Sequence, residues 1–389
     1  MRLIIDILDF EHGRAYGYEE YLLNLLHHIA SHRHDLKVDD VVLVCQTSQY
    51  DFLKHEFNEA FNYFTLMGSS YFKRFYNSYR LPSLLDVSAD DVILYTGNYM
   101  PLWGRKCKKV LVIHDLLFKH TEFCSSSPSF LLFRLQRYIY VPVSLRRADK
   151  VIAISDFTKK EIMHYYGTDS VKIETIYNYF NFNKYDAQED LTIKPIEKPY
   201  FLSICSGAKH KNHETMLRAF NDYCTTNKTD MFVIVGSFYP TAKQYFDSLS
   251  ADVKNRIVVL SHISNADICY LYKNAKGYIA ASLFEGLGMP VVEALHFNLP
   301  TYLSDTEIHR EVSFNKAHYF EPSDWRSLSD LMLNECTSTN LVTSVEERYS
   351  EANTSGRYIS VIDSLSGGVN SETKPYVIGI ANFKWSMAA

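Results

Sequence analysis

The chain has 389 residues, 47% of them hydrophobic and 22% charged, with a formal net charge of −5. That length holds two domains with a core each, and the balance excludes a disordered chain and gives no reason to expect nucleic acid. Seven scattered cysteines, at 45, 107, 124, 205, 224, 269 and 336, form no C-x-x-C pair and no metal spacing, the pattern of reduced thiols in a cytoplasm. No apolar run reaches the ~20 residues of a membrane span. The nearest, Phe130 to Leu145, is broken by Arg134 and Arg137, so a soluble or peripheral protein is expected.

The chain opens directly on an apolar run with Asp6 inside it, and no leader is read ahead of that strand. Strands are expected near 2–8, 41–46, 91–95, 109–113, 151–154 and 172–177, with helices near 17–31, 129–147 and 156–166. Residues 179–197 lose periodicity, turn polar and end before Pro199, the features of a linker. A second alternation follows, with strands near 200–205, 231–236, 257–260, 277–281 and 299–303. Its helices are expected near 212–225, 240–252, 265–274, 289–297 and 324–336. Alternating elements of this kind make parallel-sheet α/β domains, and two of them imply a cleft between their carboxyl edges. The expected domains are therefore 1–178 and 198–344, joined by 179–197. A helix at 345–365 and a tail at 366–389 follow; the tail fits no part of the pattern.

The most informative stretch is Leu283 to Leu295, LFEGLGMPVVEAL, after the apolar run Gly277–Ala281. Gly286 and Gly288 let backbone approach a ligand, and Pro290 suits the first turn of a helix. The amides and positive dipole end of that turn form a diphosphate site. Glu285 precedes the turn and Glu293 lies inside the helix, placed to accept hydroxyl hydrogen bonds on either side of an anion. A nucleotide-sugar has that layout of ribose, diphosphate and sugar. Lys211, at a strand-to-helix turn beside Asn212, can neutralise charge growing on a leaving diphosphate.

The stretch resembles the E-x7-E signature of the family-4 retaining glycosyltransferases of the GT-B fold, two Rossmann-like doubly wound domains facing each other across a cleft. The segment CSGAKHKN resembles the family's Gly-x-(x)n-Arg-Lys-Asn turn, with Lys211 on its lysine. Two positions depart from it: Ser206 stands where many members carry an arginine, and His210 where others carry one. Lys209 and His210 are the alternatives for a second positive charge. The resemblance places sugar hydroxyls on Glu285, ribose on Glu293, and the diphosphate on Lys211 and the amides of Gly286, Leu287 and Gly288. His114, after strand Val110–Ile113, resembles the family's cleft histidine, and Gly17 resembles its glycine-rich loop under the donor. Gly13 reads equally as an ordinary tight turn. The Rossmann G-x-G-x-x-G is absent, so a dinucleotide cofactor is disfavoured. Ser155 is read as a helix cap without chemistry, and Asn178, after Tyr177, as a hinge position.

The resemblance implies transfer of a hexose, mannose as first guess, from a GDP- or UDP-linked donor to a glycan or polyprenyl-linked glycan, in surface polysaccharide biosynthesis. It implies no metal, and no Asp-x-Asp cation site occurs in the sequence. A cytoplasmic protein is expected, at the inner face of a membrane if the aromatic and basic patches Tyr71–Arg80 and Arg105–Lys109 meet lipid headgroups. Two other readings stand beside this one: a nucleotide-sugar epimerase of the same fold, and an idle GT-B subunit that only binds a partner.

Overall fold

A computed structural model describes residues 1–13, 16–67, 80–101, 107–124, 127–185, 190–334 and 336–365. The segment 71–79, Arg105, Lys106 and the tail 366–389 lie outside the described residues.

The first half runs β1 (Arg2–Asp6), α1 (Tyr16–Ser31), β2 (Asp40–Gln46), α2 (Tyr50–Phe57), β3 (Asn62–Leu66), β4 (Val92–Tyr95), β5 (Lys108–Ile113), α3 (Pro128–Arg147), β6 (Lys150–Ala153), α4 (Asp156–Tyr166) and β7 (Ile173–Thr175). Its strands form a parallel sheet in the order β3-β2-β1-β4-β5-β6-β7. The central strands are near-continuous Val, Ile and Leu, and Leu3, Ile4 and Ile5 are fully buried, as strands covered by helices on both faces must be. The second half runs β8 (Tyr200–Cys205), α5 (His213–Thr226), β9 (Met231–Gly236), α6 (Pro240–Ser248), α7 (Ala251–Lys254), β10 (Ile257–Leu260), α8 (Asn265–Asn274), β11 (Gly277–Ala280), α9 (Met289–His296), β12 (Thr301–Ser304), α10 (Glu307–Val312), β13 (His318–Phe320), α11 (Trp325–Leu333), α12 (Val342–Arg348) and α13 (Ser355–Leu365). Its sheet is also parallel, in the order β10-β9-β8-β11-β12-β13. Gly236 ends β9 at φ +135°, where an added Cβ would fall 1.8 Å from the Cys205 carbonyl oxygen, so only glycine fits.

Each strand order reverses once, between β1 and β4 in the first sheet and between β8 and β11 in the second. Loops leaving the carboxyl ends of those strand pairs diverge and open a crevice, where ligands of doubly wound sheets bind. The linker is held by Asp267, whose carboxylate accepts the Thr192 and Ile193 amides at 2.8 and 3.1 Å.

Several elements escape periodicity. The helix α2, the half-buried edge strand β3, the three-residue β13 and the short α10 are too brief or too mixed to show a period. The helix expected over 240–252 is divided, because Ser250 caps a new turn by accepting the Val253 amide. That expected over 345–365 is broken between Arg348 and Ser355. There Asn353 donates its side-chain amide to the Glu347 carbonyl (2.8 Å) and Thr354 its hydroxyl to the Ser350 carbonyl (2.6 Å). Short polar side chains compete with the helical ladder in this way. Beyond the break, α13 packs on the first half: Tyr358 and Tyr21 hydroxyls lie 3.0 Å apart, and Arg357 donates to Glu174 at 2.7 Å.

Candidate active site

The switch point of the second sheet explains why Lys211 and Glu285, far apart in sequence, meet. Lys211 ends the turn after β8, and Glu285 lies in the loop after the neighbouring β11. The Leu283 amide donates to the His210 carbonyl at 2.7 Å and so ties the two loops together. The Lys211 Nζ then stands 2.5 Å from the Glu285 Oε1, which also accepts the Ser282 hydroxyl at 2.7 Å. Burial alone would raise the Glu285 carboxyl, but the Lys211 charge and the hydrogen bonds from Lys211 and Ser282 outweigh it and hold it down to about 2. Glu285 is therefore an anion at any physiological pH. Both residues line a pocket with Ser203, Cys205, Ser282, Gly288 and Pro290.

Gly288 takes φ +86° and caps α9, with Pro290 in the helix's first turn as the sequence indicates. The amides of Gly286, Leu287 and Gly288 have no acceptor among the described residues. Three unspent donors, a helix N-terminus and an ammonium make a site for an anion. Neither Lys209 nor His210 supplies the second cation. Lys209 reaches across to donate to the Glu122 carbonyl at 2.6 Å, and burial lowers the His210 imidazole so that it is neutral. Ser206 is exposed. Asn212 adopts a left-handed backbone and braces the turn by donating to the Pro322 carbonyl at 2.9 Å.

Glu293 is placed differently from the outward carboxylate expected of it. It is 7% exposed, and it is not among the residues lining the Lys211 pocket. Its Oε2 accepts the Tyr272 hydroxyl at 2.7 Å, while its Oε1 lies 3.3 Å from the Lys184 Nζ, which also contacts Glu20 at 2.6 Å. Burial raises the Glu293 carboxyl, with Lys184 opposing. A ribose hydroxyl there would share a carboxylate oxygen already bonded to Tyr272 or Lys184.

On the facing side, His114 follows β5 with its Nε2 2.8 Å from the Thr96 carbonyl oxygen, so Nε2 carries a proton and donates it. Burial lowers its basicity, and Tyr18 and Tyr21 pack edge-on at 5.5 and 4.8 Å. The ring is a fixed neutral donor rather than a free base. Gly286 is explained by the same region, since a Cβ there would fall 2.1 Å from the His114 carbonyl oxygen. Gly17, by contrast, sits in the first turn of α1 with nothing within 4 Å of where a Cβ would be. No described residue approaches closely enough to require a glycine at that position. Asn178 is buried, its Oδ1 without a partner among the described residues.

Sequence reasoning assigned Ser155 no more than a cap, and the structure corrects this. Its Oγ accepts the Thr158 amide at 3.0 Å and donates to the Gly286 carbonyl at 2.7 Å, bridging the two halves. Glu311, unnoticed in the sequence, accepts the Asp156 and Phe157 amides at 2.8 and 2.7 Å from the N-terminus of α4. Phe284 packs on His120, ring centroids 4.5 Å apart. No local motif marks these residues, because each partner lies more than a hundred positions away. The Cys205 thiol lies 3.1 Å from the His213 Nε2. Burial raises the thiol to about 11 and lowers the imidazole to about 4, so the pair is neutral and offers no thiolate nucleophile.

Residues 16–184 match a family model described as Glycosyltransferase Family 4, and residues 186–347 one described as Glycosyl transferases group 1. The O-antigen chain mannosyltransferase RfbU of Salmonella typhimurium is 28% identical over 193 residues, 49% of this chain. The chain covers 52% of that relative, about half its length. A glycosyltransferase from Rickettsia africae shares the fold at a TM-score of 0.65 and 14% identity, over 94% of this chain and 98% of that one. Anabaena Alr3699/HepE, solved with UDP and glucose, does so at 0.60 and 14%, over 93% and 97%. The two facing parallel-sheet domains are the GT-B arrangement.

Proposed function

We propose, from a chain whose two halves match the models for Glycosyltransferase Family 4 and Glycosyl transferases group 1, that the protein transfers a hexose with retention. The donor is a nucleotide diphosphate sugar, and the acceptor a hydroxyl of a glycan or lipid-linked glycan in surface polysaccharide synthesis. The carrying observation is the Lys211–Glu285 pair beside the unspent amides of Gly286 to Gly288. Lys211 and those amides hold the diphosphate and stabilise its charge as it departs. Glu285, held ionised, accepts hydrogen bonds from hydroxyls of the transferred sugar. His114, its Nε2 proton committed to the Thr96 carbonyl, leaves Nδ1 as an acceptor on the facing side.

Among the described residues lining the pocket, the Cys205 thiol is protonated and the Glu285 carboxylate is engaged by Lys211 and Ser282, so neither is paired with a base as a nucleophile. The reading that fits is front-face displacement. The acceptor oxygen bonds to the anomeric carbon as the phosphate oxygen leaves from the same face, and the hydroxyl proton passes to that leaving oxygen. No resident metal is needed for this step. GDP-mannose is the first choice of donor, supported by the mannosyltransferase relative; the UDP complex of a neighbour keeps UDP-sugars in the panel.

A cytoplasmic enzyme working at a membrane face agrees with an apolar row on α3, where Leu131, Leu132, Leu135 and Ile139 are 50, 70, 58 and 49% exposed. Among the described residues no helix is long and apolar enough to cross a membrane. The test is transfer from GDP-mannose and UDP-glucose to lipid-linked glycan acceptors, with the product anomer read by NMR. An α-linked product from an α-linked donor is expected. A β-linked product removes the front-face step, and turnover without an acceptor removes the transferase reading.

A further inference from the structure

Away from the pocket, a His-x-x-x-His spacing straddles the end of α1. His28 and His32 are one helical turn apart, the turn being continued by the bond from the His32 amide to the His28 carbonyl at 2.9 Å. Their rings stack with centroids 4.1 Å apart and 29° between planes. Into this pair the break between α12 and α13 delivers Glu351, whose Oε1 lies 2.5 Å from the His28 Nδ1. One candidate donor atom from each of the three residues lies within 4.8 Å of the others. His28 is 5% exposed, and its Nε2 is buried without a partner. The His32 Nδ1 engages the His28 carbonyl at 3.1 Å, leaving its Nε2 as that ring's donor atom. The Glu351 side chain is 46% exposed, so one side of the cluster opens to water.

We propose that His28, His32 and Glu351 bind a divalent transition-metal ion of the zinc class. Two imidazoles and a carboxylate suit zinc, cobalt or nickel and not magnesium or calcium, which take oxygen ligands. Tetrahedral zinc with bonds of about 2.0–2.1 Å needs its donors roughly 3.4 Å apart. The two members free to close that gap, His32 and Glu351, are the partly exposed ones. Water completes the coordination. The ion takes the position between His28 and Glu351 that their hydrogen bond now spans. Its effect is mechanical: it joins α1 of the first half to the segment returning from the second, at the root of α13. The site stands apart from the Lys211 pocket and does not depend on the proposed reaction.

The test uses the full chain after chelator treatment, titrated with Zn²⁺ and with Co²⁺ and followed by calorimetry, absorption and melting. One tight site is expected, with a rise in melting temperature as ion is added. The bound Co²⁺ should show no sulfur charge-transfer band. His32→Ala, which keeps the His28–Glu351 contact and so the fold, should weaken Zn²⁺ at least about 100-fold and abolish the melting shift. Glu351→Gln should weaken it less. Equal binding by wild type and His32→Ala overturns the site, as does a thiolate band with Co²⁺ or an absence of tight binding by the wild type.

Discussion

The two halves of the molecule share a topology and differ in what stands at their switch points. In the second half, the ends of β8 and β11 carry the Lys211–Glu285 pair and a helix N-terminus rich in amide donors. In the first half, the ends of β1 and β4 make a pocket lined by Asp6, Asp9, Tyr18, Thr96, Gly97 and Tyr99. Arg137, the nearby cation, turns behind it to donate to the Gly97 carbonyl at 3.1 Å and lies 4.4 Å over the Tyr99 ring. Burial, and after it Asp9, keeps the Tyr18 phenol protonated far above its ordinary range. One crevice attracts an anion; the other repels it and offers carboxylates and phenols to hydroxyls. On the proposed reading, that contrast places the diphosphate and the Glu285-bound sugar on the second half, with the acceptor hydroxyls facing the first.

The largest effects should come from the pair itself. Glu285→Ala is expected to lower kcat by roughly 10²–10³, and Lys211→Ala to lower both turnover and nucleoside diphosphate affinity. Each single change strands a buried charge, a loss of about 3–5 kcal/mol in a fully buried pair and somewhat less here, where both side chains are slightly exposed. The double change Lys211→Met with Glu285→Leu should melt closer to wild type than either single one while remaining inactive. Donor kinetics and calorimetric melting check this. A Lys211→Ala enzyme with unchanged nucleotide affinity would erase the difference between the halves.

Glu311 tests whether the halves must be held together. Its carboxylate accepts two amides across the interface, and hydrogen bonds to charged groups contribute about 1.5–3 kcal/mol. Glu311→Ala should raise the donor KM by about tenfold and lower the melting temperature. Glu311→Gln, which can still accept one amide, should recover part of the loss. If KM does not move, the contact only supports the fold.

Much of the fold is legible in the sequence because buried parallel strands advertise themselves: β8, β9 and β10 fall where the apolar runs end. The Lys211 turn and the Gly-x-Gly-x-Pro loop are equally local, each needing residue types at fixed spacing. Glu293 is not, for its environment is set by Tyr272 and by Lys184 in the linker, and spacing along one helix says nothing about a partner from another element. Ser155 and Glu311 fail to show for the same reason: their functional contacts are made by tertiary approach. Gly17 differs from Gly286: no protein atom crowds it, so packing gives no reason of its own for a glycine there.

Acid should distinguish residues within the second half. His213, buried beside Lys211, has its imidazole lowered to about 4 by burial and by that neighbouring charge. The unfolded chain therefore binds the extra proton first, and stability is lost as pH falls from about 6.5 towards 4. The lowered Glu285 carboxyl contributes stability present above about 4.5 and lost as pH falls towards 2. Each is worth at most about 3 kcal/mol. Denaturant midpoints measured from pH 7 to 3 should show two falls, and His213→Phe should diminish the upper one, to which buried His114, His210 and His309 also contribute. A flat profile above pH 5 in the wild type would deny the buried neutral imidazole.

The smallest effect sharpens the comparison most economically. Lys209 and Lys211 are two residues apart on one turn, and charge alone would make them equivalent partners for a diphosphate. They are separated by direction: Lys209 reaches the Glu122 carbonyl on the other half, while Lys211 lines the pocket. The Lys209 contact is exposed, and exposed contacts contribute within about 0.5 kcal/mol. Lys209→Ala should therefore leave melting and nucleotide affinity unchanged, beside the loss expected at Lys211. Parallel calorimetric titrations with GDP and UDP decide it. Equal losses at both lysines would mean that the anion is held by a diffuse basic turn, and that the paired geometry with Glu285 does not select its site.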